Sequence, residues 1–102
     1  MDLRKFIHDQ MDFSSTTFGP GARTKGVVEH IRKELNEIEA DPNDVTEWID
    51  VVILALDGAW RAGNTPTQIC EALAAKLDKN KNRQWPDWRT MSQDQAIEHR
   101  RV

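Results

Sequence analysis

Hydrophobic residues recur every three or four positions through most of this chain, and no stretch alternates with a period of two for the length of a strand. The pattern predicts an all-α fold. The first helix is predicted from about Asp2 to Phe13, and its apolar stripe consists of Leu3, Phe6, Ile7 and Met11. The segment Ser14 to Gly21 is rich in Ser, Thr, Gly and Pro, so we expect it to end the helix as an irregular loop.

Two longer helices are predicted next, on either side of a tight turn in the sequence ADPND. Helix two runs from a Thr24 cap to Ala40 and is expected to bury Val27, Val28, Ile31, Leu35 and Ile38. Helix three runs from about Val45 to Arg61 and is apolar around most of its circumference. Such a helix is typical of the centre of a bundle or of an oligomer interface.

The last third of the chain predicts one long and one short helix. Gly63 ends helix three, and Thr65-Pro66-Thr67-Gln68 begins helix four with a capping-box pattern and Pro at the first helical position. Helix four is predicted to reach about Asn82, and a short terminal helix is predicted from Ser92 to Arg100. We therefore expect residues 1–102 to form one domain, a compact bundle of four main helices plus a short C-terminal helix.

Composition narrows the class of protein. The 102 residues are 38% hydrophobic and 30% charged, which is typical of a soluble globular domain. With 17 Asp and Glu against 14 Lys and Arg the formal net charge is −3, so we expect no nucleic-acid partner. The N-terminus lacks the apolar run of a signal peptide, and we expect no membrane association. A single cysteine, Cys70, forms neither an internal disulfide nor a thiolate zinc cluster, which favours the cytoplasm.

Two acidic pairs carry the candidate chemistry. Glu34 and Glu37 on helix two, and Glu47 and Asp50 on helix three, each have i, i+3 spacing and so face one direction. If the two helices pack antiparallel across their short turn, four carboxylates converge. Each pair of like charges at about 4 Å costs about 4 kcal/mol at an effective dielectric constant of 20. A cation is needed, and oxygen ligands favour Mg²⁺ or Mn²⁺.

The acidic residues also have plainer interpretations. Asp44 and Glu47 have the spacing of a capping box, and single carboxylates on a helix are usually solvated surface charges. His30 lies one turn before Glu34, where it is either a hydrogen-bond donor to that carboxylate or a surface residue.

A polar stripe on helix four offers the complementary charge. Lys76, Asn80 and Arg83 recur at i, i+4 and i+7, a spacing suited to phosphate and sugar ligands, although such cations can also extend past the edge of a core into solvent. Trp85 either stacks on a base or packs a helix end. Phe18, beside two glycines, belongs either to a loop over a ligand or to a plain connector.

The order of these residues resembles that of the MazG-like all-α nucleoside triphosphate pyrophosphohydrolases. The similarity extends to the phage and prophage dATP/dGTP diphosphohydrolase (MazZ) type, covers about Ser14 to Arg101, and rests on the strings TFGPGARTKGVVEHIRKELNEIEADPND, EWIDVVILALDGAWRAG, KNKNRQWPDWR and AIEHRR.

This resemblance implies a helical homo-oligomer, a dimer or a tetramer, that cleaves dATP and dGTP between the α and β phosphates by attack of metal-activated water. It implies that Glu34, Glu37, Glu47 and Asp50 are the catalytic metal ligands for Mg²⁺ or Mn²⁺. On the triphosphate and sugar side it places Lys76, Asn80 and Arg83. We count Phe18 and Trp85 as further candidate substrate-binding residues. Only nine residues separate Glu37 from Glu47, fewer than in most of the superfamily, so base recognition is expected to come from elsewhere. The alternative hypothesis is a non-catalytic helical oligomer that acts as a protein-interaction module.

Overall fold

The computed structural model describes residues 1–101, and this part of the chain contains four α-helices and no strand. The helices are α1 (Leu3–Phe18), α2 (Thr24–Ala40), α3 (Val45–Arg61) and α4 (Pro66–Lys81), followed by a single 3₁₀ turn at Trp88–Thr90. The predicted all-α class is confirmed. The chain divides into two compact units, Met1–Glu71 and the residues from Ala72 onward.

Helix starts follow the capping residues in the sequence. The carboxylate of Asp2 accepts hydrogen bonds from the backbone of Arg4 and Lys5 at the start of α1. The predicted capping box begins α4: the Gln68 backbone N–H donates to Thr65 Oγ1 at 3.1 Å, and the Thr65 N–H donates to Gln68 Oε1 at 2.9 Å. Arg23, rather than Thr24, is the cap of α2, and its side chain makes no capping bond.

Helix α3 packs against both α2 and α1 in the first unit. It runs antiparallel to α2, and a Cβ placed on Gly58 would lie 3.4 Å from Val27 Cγ1, so the two helices approach closely there. It runs parallel to α1, because Gln10 bonds to Ile53 and Ser14 bonds to Asp57, four residues further along both helices. The register of α1 is therefore fixed by polar contacts.

The first helix is longer than predicted. We expected it to end at Phe13, but α1 continues to Phe18 and ends at Gly19, which has a φ of 94°. Ser14 is buried, and its hydroxyl donates a hydrogen bond to the buried carboxylate of Asp57 on α3. The Thr16 hydroxyl donates to the Asp12 carbonyl within the helix. These hydrogen bonds offset the weak helix propensity of the Ser-Ser-Thr-Thr run.

The predicted C-terminal helix from Ser92 to Arg100 is wrong. The segment has no regular helix, and its backbone returns along the second unit, where the Arg100 N–H donates to the Gln84 carbonyl at 2.7 Å. A helix of nine residues is marginal unless packing supports it, and the apolar Ile97 is 40% exposed.

Much of the apolar surface expected to be buried is exposed in the single chain. Among the described residues, the buried hydrophobic side chains are Ile7, Val27, Ile38 and Ile69. Leu35 and Val28, which we expected to be buried, are exposed, and Ile31 is only half-buried. The exposed large hydrophobic side chains of α3 are Val45, Trp48, Ile49 and Val52. None of the helices described combines the length and apolarity needed to cross a bilayer.

Candidate metal centre

Three of the four predicted metal ligands lie together. Glu34 on α2 and Glu47 and Asp50 on α3 each place a carboxylate oxygen within 4.8 Å of the others. The antiparallel packing of α2 and α3 across the turn at 41–44 produces this arrangement, as the spacing of the acidic pairs predicted. We call these three residues the acidic cluster.

The capping interpretation of Glu47 does not hold. Asp44 caps α3 by accepting from the Thr46 N–H at 2.9 Å and from the Thr46 hydroxyl at 2.7 Å. Its partner is therefore Thr46, and the Glu47 carboxylate is left free to join the acidic cluster.

The electrostatics of the acidic cluster favour a cation. Burial raises the pKa of Glu47 above its ordinary value of 4.5, and the negative charges of Glu37, Asp44, Asp50 and Glu34 raise it further. Oxygen ligands around one Mg²⁺ ion at about 2.1 Å from it lie about 3 to 4 Å apart. The cluster is close to that spacing, so small side-chain rotations bring its oxygens onto a divalent ion. The residues present fit such an ion in both charge and chemistry.

Glu37 and His30 flank the acidic cluster. Glu37 is exposed and lies outside the group of three, although its charge contributes to the raised pKa of Glu47. His30 Nε2 lies 3.4 Å from Glu34 Oε1, which supports the interpretation of His30 as a partner of that carboxylate. The His30 side chain is 51% exposed, and its ring is close enough to orient the Glu34 carboxylate.

A cavity of about 240 Å³ adjoins the acidic cluster, and Glu34 and Asp50 belong to its wall. It lies among α1, α2 and α3. The rings of Phe13 and Phe18 meet edge to face at 6.3 Å on its α1 side. The remaining lining residues include apolar side chains and the buried polar residues Gln10, Ser14 and Asp57. The cavity can therefore hold a group that is mainly apolar and carries a few polar atoms, next to a site for cations.

A buried ion pair between Asp57 and Arg61 lies beside the part of the cavity wall that contains Phe18. Arg61 at the end of α3 donates from Nε to Asp57, from Nη1 to the carbonyls of Gly19 and Gly21, and from Nη2 to Ser14. The loop that follows Phe18 is thus held in place by a guanidinium. The i, i+4 spacing of Asp57 and Arg61 is typical of an ion pair, but no local pattern indicates Ser14 and the two glycine carbonyls as further partners of Arg61.

The second unit gathers most of the predicted phosphate ligands. Asn80 Oδ1 accepts from Arg83 Nη1 at 2.9 Å, and the Asn80 carbonyl accepts from the Trp85 indole at 2.7 Å. The Trp85 ring meets His99 at 5.9 Å. Burial lowers the pKa of His99, and the positive charges of Arg83, Arg101 and Lys76 lower it further. The positive charges of these side chains act on one residue, His99, which the sequence pattern did not single out.

Three comparisons bear on what this arrangement does. The family model described as dATP/dGTP pyrophosphohydrolase matches residues 6–101. A solved structure covering 99% of both chains, at 27% identity and a TM-score of 0.75, is the "Cyanophage S-2L MazG-like pyrophosphohydrolase bound to dGDP and three catalytic Mn²⁺ ions per active site". A curated relative, the Eaa protein of Salmonella phage P22, is 44% identical over 48 residues.

The three matches differ in how much of each protein they cover. The match to the Eaa protein covers 47% of this chain but only 15% of that protein's length, so it shows similarity to a part of a phage protein and says little about activity. The family model and the solved structure each cover nearly the whole chain. The chain therefore belongs to the dATP/dGTP pyrophosphohydrolase family, and its all-α fold is similar to that of the solved MazG-like pyrophosphohydrolase.

Proposed function

We propose that this chain hydrolyses dATP and dGTP to the deoxynucleoside monophosphate and pyrophosphate, using Mg²⁺ or Mn²⁺ held by the acidic cluster. The observation that best supports the proposal is that Glu34 and Asp50 belong both to the acidic cluster and to the wall of the 240 Å³ cavity. A nucleotide whose phosphates reach the cluster would place its sugar and base along the apolar part of that wall.

The reaction is a displacement at the α-phosphorus. The oxygen of a water molecule forms a bond to the α-phosphorus, the bond from that phosphorus to the bridging oxygen breaks, and the electron pair leaves with pyrophosphate. When bound, the divalent ions supply positive charge that lowers the pKa of the attacking water and neutralises the phosphates.

The protein's own part is to hold charges in place. Glu34, Glu47 and Asp50, with Glu37 as the fourth predicted ligand, bind the ions. One of these carboxylates orients the water and accepts its proton. The His30 ring, 3.4 Å from Glu34, keeps that carboxylate directed at the ions.

The remaining predicted residues are assigned to the substrate. We propose that Lys76, Asn80 and Arg83 bind the triphosphate and sugar, since charge-assisted hydrogen bonds suit phosphate oxygens. Phe18, the last residue of α1, lies directly before the loop that Arg61 holds and is proposed to cover the base. In the second unit, Trp85 is proposed as an aromatic substrate contact.

A substrate panel tests the proposal. We expect the chain with Mn²⁺, incubated with each of the eight common NTPs and dNTPs, to release pyrophosphate and monophosphate fastest from dATP and dGTP. Glu34→Gln should abolish the release. Glu29→Gln is the matched control, because Glu29 lies on the same helix, is exposed, and pairs only with Lys33 at 3.7 Å. Equal activity of the two variants, or release of inorganic phosphate alone, would contradict the proposal.

We also propose that the chain works as a homo-oligomer, a dimer or a tetramer. The exposed apolar side chains Trp48, Ile49 and Val52 lie on α3, the helix that carries Glu47 and Asp50. A second copy of the chain would bury this face. Light scattering should give a multiple of 11.7 kDa for the wild type, and Val52→Glu should lower it.

The site of action we propose is the cytoplasm of a bacterial host, where deoxynucleoside triphosphates are found. We propose neither a nucleic-acid nor a membrane partner, because the formal net charge is −3 and the cations of the second unit are assigned to a nucleotide.

A further inference from the structure

The Gln10 side chain on α1 has one hydrogen bond too few. Gln10 is only 9% exposed, and its Nε2 donates to the backbone carbonyl of Ile53 on α3 at 2.7 Å. Its Oε1 is buried and has no hydrogen-bond partner among the described residues. Buried polar atoms are nearly always paired, so an unpaired one calls for an explanation.

The orientation of the amide is settled by its neighbour. Exchanging the two ends of the Gln10 amide would place Oε1 against the Ile53 carbonyl oxygen, where two acceptors would repel each other. The amine end therefore belongs on Ile53, and Oε1 remains an acceptor that needs a donor from outside the chain.

Gln10 is also a wall residue of the cavity that reaches the acidic cluster. Its contact, Ile53, lies one helical turn beyond Asp50, toward the inner part of the cavity. The next polar groups in that direction are occupied, because Ser14 and Asp57 bond to each other and to Arg61. Gln10 Oε1 is thus an unpaired acceptor on a residue of the cavity wall.

We propose that Gln10 Oε1 accepts a hydrogen bond from an N–H on the Watson–Crick edge of the purine base, and so makes base recognition depend on that donor. The inference rests on the proposed function, since it needs a nucleotide with its phosphates at the acidic cluster. Adenine offers its 6-amino group, and guanine offers N1–H and its 2-amino group. The unsubstituted purine base offers no N–H, and a site built around a hydrogen bond discriminates against a ligand that lacks it.

The test compares two ligands that the enzyme cannot cleave. These are the α,β-methylene triphosphates of deoxyadenosine and of purine deoxyriboside, and their dissociation constants are measured by calorimetry with Mn²⁺. We expect the wild type to bind the deoxyadenosine analogue at least about ten-fold more tightly. In Gln10→Met, which keeps the length of the side chain without the amide, the ratio should fall to within about two-fold.

A control variant separates recognition from packing. Ile7→Val shortens a fully buried side chain of α1 that does not line the cavity, so it should lower stability while leaving the ratio of the two dissociation constants at its wild-type value. A wild type without preference, or a Gln10→Met variant that weakens both ligands equally, would overturn the inference. Because these ligands report binding alone, absence of dATP cleavage would count against the proposed function, and the binding ratio would still decide the role of Gln10.

Discussion

Asp57 and Arg61 form a buried ion pair one turn apart on α3, with Arg61 Nε 2.7 Å from Asp57 Oδ2. The side chains are 9% and 2% exposed, respectively. All five N–H groups of the guanidinium have an acceptor, and two of those acceptors are the carbonyls of Gly19 and Gly21 in the loop after α1. Arg61 therefore has no donor left for phosphate, and its function is to join α1, α3 and the loop.

We expect Arg61→Met to destabilise the fold by about 3 to 5 kcal/mol, because it leaves Asp57 buried without a counter-charge. Arg61→Lys should not restore stability, since an ammonium cannot reach the four groups that the planar guanidinium holds. Urea denaturation followed by circular dichroism measures the free energy of unfolding. The Arg89–Asp87 pair is the matched control, since both side chains are exposed and Arg89→Ala should unfold near the wild-type urea concentration. A small effect of Arg61→Met would show that the pair is dispensable.

Amide substitutions in the acidic cluster should separate metal binding from folding. We expect Glu34→Gln, Glu47→Gln and Asp50→Asn each to reduce turnover at least about 100-fold. In the absence of metal, each should melt at the wild-type temperature or above it, because one of several repelling charges is gone. Release of pyrophosphate measures turnover. Thermal melts with and without Mn²⁺ measure folding and metal binding, since a bound ligand stabilises the folded state. A fall in the melting temperature of the metal-free variants would show that the acids are structural.

Glu37→Gln should differ from the other variants in its effect on metal binding, because Glu37 lies outside the acidic cluster. We expect it to abolish turnover as well, with a smaller loss of Mn²⁺-dependent stabilisation than Glu34→Gln. Unchanged turnover would remove Glu37 from the metal site.

The acidic cluster and the all-α class were accessible from sequence because both depend on local spacing. The i, i+3 pairs and the short turn after Ala40 are enough to bring Glu34 close to Glu47 and Asp50. The contacts of α1 depend instead on partners about forty positions away, Ile53 for Gln10 and Asp57 for Ser14, which no local pattern records. For the same reason Ser14 was assigned to a loop.

In the C-terminal segment, a local pattern predicted a helix that does not form. Ser92 resembles a helix cap, and its hydroxyl does accept from the Asp94 N–H, but no helix follows. A turn follows at 93–94, and the end of the segment makes contacts with distant residues, from His99 to Trp85 and from Arg100 to Gln84. A capping residue cannot by itself predict a helix that lacks an apolar face.

Because the pKa of Glu47 is raised, the stability of the metal-free protein and the affinity for metal should change in opposite directions with pH. Its folded-state pKa lies above the ordinary value of 4.5, so the metal-free protein gains stability from Glu47 below about pH 4.5 and loses it as the pH rises through the raised pKa. Mn²⁺ needs the ionised carboxylate, so its affinity should increase over that same range. Calorimetric titration with Mn²⁺ at several pH values should show this increase in the wild type and a weaker one in Glu47→Gln. Parallel pH profiles for the two proteins would contradict the assignment.

Lys76 and Arg83 should act on the triphosphate rather than on the metal. Both cations lie near His99 in the second unit, and Arg83 is held by Asn80 Oδ1 at 2.9 Å, so its charge is fixed in place. We expect Lys76→Ala and Arg83→Ala each to lower kcat/KM for dATP at least about ten-fold, which corresponds to about 1.4 kcal/mol of transition-state stabilisation. Mn²⁺ affinity without nucleotide should stay within a few-fold of the wild type, because no metal ligand has changed. Lys81 is an exposed lysine on another face of α4, so Lys81→Ala is the control and should retain wild-type kcat/KM.

If Lys76→Ala and Arg83→Ala both behaved like Lys81→Ala, the polar stripe of α4 would be surface charge. Triphosphate binding would then pass to Arg23 or Lys25 near the start of α2, since the guanidinium of Arg61 is fully occupied.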